Sequence, residues 1–273
     1  MTHQEGSFTY QQTEFYTQYW TPTTARAVVL LIHGMGEHSG RYAHVAHKLV
    51  DSGYAVMAFD HFGHGKTKGK RGHNPGYAYV LGSIAMLIEQ AKETFGALPM
   101  FLYGHSMGGN AVINFVLRNQ PDLQGAIATS PFLKLAFQPP AWKLTLGKVM
   151  QKIAPSITLG NELDANDISR IPEEVANYQN DRLVHDKISP NFSLSFIDSG
   201  AWAIENGQQL QLPMLVLHGT DDKIIDCKGS EAFASKTALA SFKSYPGGYH
   251  ELHNDLCQDE LIQDILTWLD KQV

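Results

Sequence analysis

The run Phe101-Leu102-Tyr103-Gly104-His105-Ser106-Met107-Gly108-Gly109-Asn110-Ala111 constrains this chain more than any other stretch. An apolar segment, 99–103, ends at a serine flanked by glycines, and a second apolar segment, 111–117, follows at once. The first reads as a buried strand and the second as a buried helix. So short a junction forces a sharp turn. Glycine at 104 and 108 permits it, because the two backbones approach too closely for a Cβ. The turn lifts the Ser106 hydroxyl above the sheet and sets the Met107 N–H at the positive end of the helix. That is the strand–turn–helix setting of a G-x-S-x-G nucleophile. A glycine-rich turn with an incidental serine fits the same residues, so the rest of the chain has to decide.

Buried-strand patterns recur at 27–32, 54–59, 125–129, 214–217 and 241–245. Most are apolar without alternation, as in strands covered on both faces. Helical patterns at 42–50, 77–95, 111–117 and 259–269 lie among them. This alternation predicts a mostly parallel sheet flanked by helices, an α/β fold. At the N-terminus, 7–10 and 14–20 read as a strand pair joined by 11–13. Between 132 and 212 the alternation stops, and no good buried strand appears. The segment is rich in Pro, Asn, Asp and Ser, and far exceeds the usual connection of about 2–6 residues. It predicts a helical cap, 132–212, inserted between two parts of one core, 1–131 and 213–273. No internal repeat or low-complexity tract is present.

Length and composition suit one large domain with an insertion: 273 residues, 43% hydrophobic and 18% charged. A net charge of −6 argues against nucleic acid as a partner. The one dense basic run, Lys66, Lys68, Lys70 and Arg71, reads as a solvated loop. Two cysteines, Cys227 and Cys257, make no disulfide framework and suit a reducing compartment. The polar start, 1–6, shows no apolar signal region, so a cytoplasmic protein is expected.

A serine hydroxyl is a weak nucleophile until a base takes its proton and a third group holds that base. In this architecture the order is serine, acid, histidine, with both partners on loops after later strands. His218-Gly219-Thr220-Asp221-Asp222 follows the strand 214–217, and Gly247-Gly248-Tyr249-His250 follows 241–245. Asp221 or Asp222 is then the acid, and His250 the base. The oxyanion needs two N–H donors. Met107 offers one. The loop His33-Gly34-Met35-Gly36-Glu37-His38 offers the other, at Met35.

These residues resemble the monoacylglycerol lipase/lysophospholipase family of α/β-hydrolases. The resemblance rests on 33–42, on Asp60-His61-Phe62-Gly63-His64-Gly65, on 104–109, on Gly219-Thr220-Asp221-Asp222 and on Tyr249-His250-Glu251-Leu252-His253. In the insertion, Tyr178-Gln179-Asn180-Asp181-Arg182-Leu183-Val184-His185 resembles the family's Y-x-x-D-P-L-V-H, with Arg182 where proline is usual. The resemblance implies an α/β-hydrolase with a cap, and a cofactor-free serine esterase acting on lipid monoesters. It implies Asp222 as the acid, through G-x-x-D. It also implies a polar patch of Glu37, Arg41 and His253, joined by Tyr178, near the alcohol part of the substrate. The competing reading makes that patch a brace for the oxyanion loop.

In the insertion, Trp142, Leu146, Val149, Met150 and Ile153 fall on one helical face, with Leu144 off it and Pro155 as a stop. Together with Leu133 and Leu135, the residues Trp142, Leu146 and Val149 are expected to line an acyl pocket. Lys143, Lys148 and Lys152 would then sit at the surface of lipid aggregates or a membrane. No metal site is expected, because His250-Glu251-Leu252-His253 is followed by Asn254 and so is not H-E-x-x-H. The rivals are a short- or medium-chain esterase, thioesterase or lysophospholipase, and a catalytically silent scaffold that binds a ligand.

Overall fold

A computed structural model describes residues 1–273. The elements run β1 (Thr2–Tyr10), β2 (Thr13–Thr21), β3 (Ala27–Ile32), α1 (Ala43–Asp51), β4 (Tyr54–Phe59), α2 (Tyr77–Phe95), β5 (Met100–His105), α3 (Met107–Asn119) and β6 (Gly125–Thr129). They continue with α4 (Ala141–Ile153), β7 (Leu159–Gly160), α5 (Pro172–Asn180), β8 (Lys187–Ile188), α6 (Pro190–Glu205), β9 (Met214–Gly219), α7 (Cys227–Ala234), β10 (Ala240–Tyr245) and α8 (Gln258–Leu269).

Eight strands form one sheet in the order β1-β2-β4-β3-β5-β6-β9-β10. Pairing is parallel from β4 through to β10, while β1–β2 and β2–β4 are antiparallel. Every residue of β3, β4, β5, β6 and β9 is buried. Alternate residues of one strand feed opposite layers. Val28, Leu30 and Ile32 pack with α2 and α3 residues such as Leu87 and Val112. Ala27, Val29 and Leu31 pack with α1 and α8 residues such as Leu49 and Ile265. Each fully buried aliphatic side chain contributes roughly 1.5–3 kcal/mol, so these central strands hold the molecule together.

The N-terminal hairpin is longer than its sequence pattern suggests, and its turn is only Gln11-Gln12. Both glutamines have positive φ, 43° and 67°. That is a two-residue turn of the kind whose twist matches the strands, built without the usual glycine. Helix α7 is not anticipated by the strand–helix alternation, since its short sequence lacks a long apolar stripe.

The residues between β6 and β9 carry α4, α5, α6 and a small antiparallel ribbon, β7–β8. Helix α6 is bound firmly to the sheet layer. Asn110 of α3 donates to the Phe132 and Phe196 carbonyls at 2.6 and 3.2 Å, and Asn114 donates to the Ser199 carbonyl at 3.2 Å. Helix α4 is different: none of its residues is buried. No helix is long and apolar enough to cross a membrane.

Candidate active site

Ser106 sits between β5 and α3 with φ 52° and ψ −113°, a left-handed conformation rare for a residue with a side chain. Its neighbours explain how the turn survives. A Cβ on Gly104 would strike the Gly108 carbonyl, and one on Gly108 would strike the Ile32 carbonyl. The Ser106 N–H donates to the Thr129 carbonyl at 2.9 Å, and its own carbonyl accepts from Asn110 and Phe132, also at 2.9 Å. The backbone is therefore fixed on both sides while the hydroxyl projects outward.

The hydroxyl donates to His250 Nε2 at 2.9 Å, and His250 Nδ1 donates to Asp222 Oδ2 at 2.7 Å. Asp222 Oδ1 accepts the Ile224 and Ile225 amides, both at 2.9 Å. A further imidazole, His218 Nε2, reaches Oδ2 at 3.1 Å. Asp221 is exposed, and its carboxylate accepts only from the Thr220 hydroxyl. The His250 loop is pinned by Ser130, whose hydroxyl donates to the His250 carbonyl at 2.8 Å.

Burial works against charge on both His250 and Asp222, yet each outweighs it for the other. The carboxylate raises His250 above its ordinary value, and the two imidazoles hold Asp222 well below its own.

The amides of Met35 and Met107 make no hydrogen bond within the protein. Met35 lies on the loop after β3 and lines the cavity in front of Ser106. Its loop is held from behind. The Gly34 N–H donates to Glu37 Oε1 at 2.6 Å, as does the Tyr42 hydroxyl. Arg41 bonds Glu37 at 2.9 Å and grips both oxygens of Glu251, at 2.6 and 2.7 Å. Burial raises Glu37, with Arg41 opposing, whereas Arg41 overcomes burial at Glu251 and lowers it. This ion triad links the oxyanion loop to the residue after His250. The sequence motifs include Glu251 without giving it a task; its adjacency to His250 is the only signal. Asp60 braces a further loop, accepting from the Ser39 amide and hydroxyl and from the Lys66 amide.

The cavity measures about 1130 Å³ and its walls include Met35, Phe132, Leu135, Trp142, Leu144, Leu146, Met150, Leu194 and Ile225, with Glu37, Tyr178, Glu251, Ser106 and His250 at its polar end. Four of the expected lining or contact residues are elsewhere. His253 is fully buried, stacked on Tyr42 at 4.6 Å and edge-on to His105, behind the site. Burial pushes its imidazole well below the ordinary range. Arg41 is turned away by its two carboxylates, with its guanidinium over the Tyr178 ring. Leu133 is buried in the core beneath the site. Val149 faces outward with Ile153, which is 74% exposed.

The reason for that last difference is local. Helix α4 packs on α6 where Gly147 lies beside Leu194. This contact aims Leu144, Gly147 and Met150 inward and turns Val149 and Ile153 to solvent, with Trp142 and Leu146 on the rim.

Comparison with known proteins agrees with this geometry. A family model, Hydrolase_4, described as serine aminopeptidase S33, matches residues 23–257. A monoacylglycerol lipase of Mycolicibacterium smegmatis is 35% identical over 254 residues, which are 92% of this chain and 90% of that protein. An uncharacterised abhydrolase domain-containing protein of Dictyostelium discoideum is 35% identical over 93% of this chain, which spans only 27% of its length. The crystal structure of Paleococcus ferrophilus monoacylglycerol lipase superposes with a TM-score of 0.88 at 35% identity, covering 95% of this chain and 100% of that one. The chain belongs to the Hydrolase_4 family and is a serine hydrolase with the α/β-hydrolase fold.

Proposed function

We propose that this protein hydrolyses lipid monoesters, with monoacylglycerol as its substrate. Ser106 attacks the ester carbonyl while His250 takes the hydroxyl proton. His250 then returns that proton to the leaving glycerol oxygen. Asp222 keeps the His250 proton on Nδ1. The Met35 and Met107 amides bind the oxyanion. Water, activated by His250, releases the fatty acid and restores Ser106. No cofactor takes part.

One observation carries this reading: the bonded series Ser106–His250–Asp222 opens into a mainly apolar cavity of about 1130 Å³. The names of the relatives point to the same substrate class. Glu37, Tyr178 and Glu251 offer polar atoms at the glycerol end. Residues 132–212 act as the cap, with α6 as its root. The outward stripe of α4, with Lys148 and Lys152 beside it, rests against the lipid aggregate that supplies substrate.

The test is a hydrolysis panel. Monoacylglycerol should be cleaved faster than triacylglycerol or lysophosphatidylcholine at equal acyl chain. Ser106→Ala should remove this activity and fluorophosphonate labelling together, while the circular dichroism spectrum stays that of the wild type. Preference for lysophosphatidylcholine, or full activity in Ser106→Ala, would overturn the proposal.

A further inference from the structure

The acid of the site is shared. Asp222 Oδ2 receives not one imidazole but two, His250 Nδ1 at 2.7 Å and His218 Nε2 at 3.1 Å. His218 is the penultimate residue of β9, and its side chain is wholly buried, as is that of Asp222. Its surroundings fix its tautomer. Nε2 faces two groups that only accept, Asp222 Oδ2 and the Ile225 carbonyl at 3.2 Å. Nε2 therefore carries the ring hydrogen. Nδ1 lies 2.7 Å from the Ser230 hydroxyl of α7 and takes its proton as acceptor. The result is a continuous series: Ser230 hydroxyl to His218, His218 to Asp222, and on the far side Ser106 to His250, His250 to Asp222.

We propose that His218, oriented by Ser230, is a positioning residue that regulates how strongly Asp222 supports His250. A carboxylate oxygen that accepts a second hydrogen bond has less negative charge to offer the first donor. The imidazolium formed on His250 during the reaction is then stabilised less, and His250 stays a base of moderate strength. The second bond also prevents Asp222 from rotating Oδ2 away from His250, since Oδ1 is held by two amides and Oδ2 by His218. Other groups that bear on His250 are Glu37, Glu251, His105 and His253. None of them bonds Asp222. Cys227, at the start of α7, senses the Asp222 charge but is not bonded to it. His218 is thus the one side chain, besides His250, that acts on the acid directly.

This inference rests on the assignment of Ser106, His250 and Asp222 above, but its readout needs no turnover. The His250 titration is followed by NMR on protein with ¹⁵N-labelled histidine. In His218→Phe the lost donor should raise the His250 titration midpoint by about half a pH unit or more, the sign expected when a neighbouring carboxylate gains effective charge. The acid limb of kcat/KM should move by the same amount. His218→Gln, which can still donate to Oδ2, should restore the wild-type midpoint. A midpoint unchanged in His218→Phe, or equally raised in His218→Gln, would overturn the proposal. Should His218→Phe not fold, the wild type decides alone. Its ¹⁵N spectrum at neutral pH must show His218 protonated on Nε2 and unprotonated on Nδ1; the opposite tautomer contradicts the proposal. Full activity in Ser106→Ala would instead strike the assignment of the nucleophile and leave these NMR outcomes standing.

Discussion

Asp221 and Asp222 are adjacent in the chain and opposite in circumstance. One is exposed beside Thr220; the other is buried under four hydrogen bonds. Replacing Asp222 by Asn should lower kcat on the order of 10⁴-fold, because the neutral amide no longer holds the His250 proton on Nδ1. Asp221→Asn should alter kcat within about threefold, as for other surface changes. Steady-state kinetics of the two purified variants checks both, and reversed effects would move the acid by one residue. Residues of this kind differ in how legible they are. Ser106, His250 and the oxyanion loop announce themselves, because a glycine-framed turn at a strand end leaves a local pattern. Glu251 and His218 do not, because their meaning lies in contacts formed across the fold. Arg41 reaches Glu251 across a separation of 210 residues. His253 shows the converse: the motif marks it, yet its burial against Tyr42 makes it part of the wall behind the site.

Helix α4 shows what periodicity can and cannot decide. The spacing of its apolar residues and the prolines around it define the helix, which runs from Ala141 to Ile153. Which face turns inward depends on how α4 packs against another helix, α6, and no pattern within α4 records that. Its two faces should therefore separate in experiment. Val149→Asp with Ile153→Asp removes two outward apolar side chains that do not line the cavity. Each contributes about 1.5–3 kcal/mol when buried, so vesicle binding should weaken at least about tenfold. Hydrolysis of a soluble short-chain ester should be unaffected. Met150→Asp, on the inward face, should impair cleavage of long-chain esters even in detergent. Vesicle sedimentation and ester kinetics on the two variants make the check. Equal behaviour of both would mean that α4 has one function rather than two.

At the scale of the whole molecule, the parallel sheet and its helical layers follow directly from uninterrupted apolar strands, since a strand covered on both faces leaves no other reading. In the segment over the site, α4 is legible as a helix from its own spacing, whereas α5 is legible only as part of an interruption, because it buries a single residue, Val175. Stability should depend on pH in a manner set by histidines. His33, His61, His64, His105 and His253 are buried, and burial holds each below its ordinary value, His33 at about 4. Below about pH 6.5 the unfolded chain takes up protons that these native imidazoles refuse, so stability falls as pH falls. His250 and Glu37, both raised in the native state, contribute the opposite sign, but they are two residues against five. Calorimetry should therefore show Tm decreasing steadily from pH 7 to pH 5, and a flat Tm across that window would contradict the assignment of these rings as buried and neutral. The central claim, a serine hydrolase built for lipid monoesters, is tested most directly by kcat/KM across an acyl series from acetyl to decanoyl glycerol ester. Each methylene that enters the cavity contributes about 0.8 kcal/mol, close to fourfold, until the chain outgrows the apolar wall. The account predicts a steep climb from acetyl to decanoyl; a protein that cleaves acetyl glycerol as well as decanoyl glycerol, or better, would contradict it.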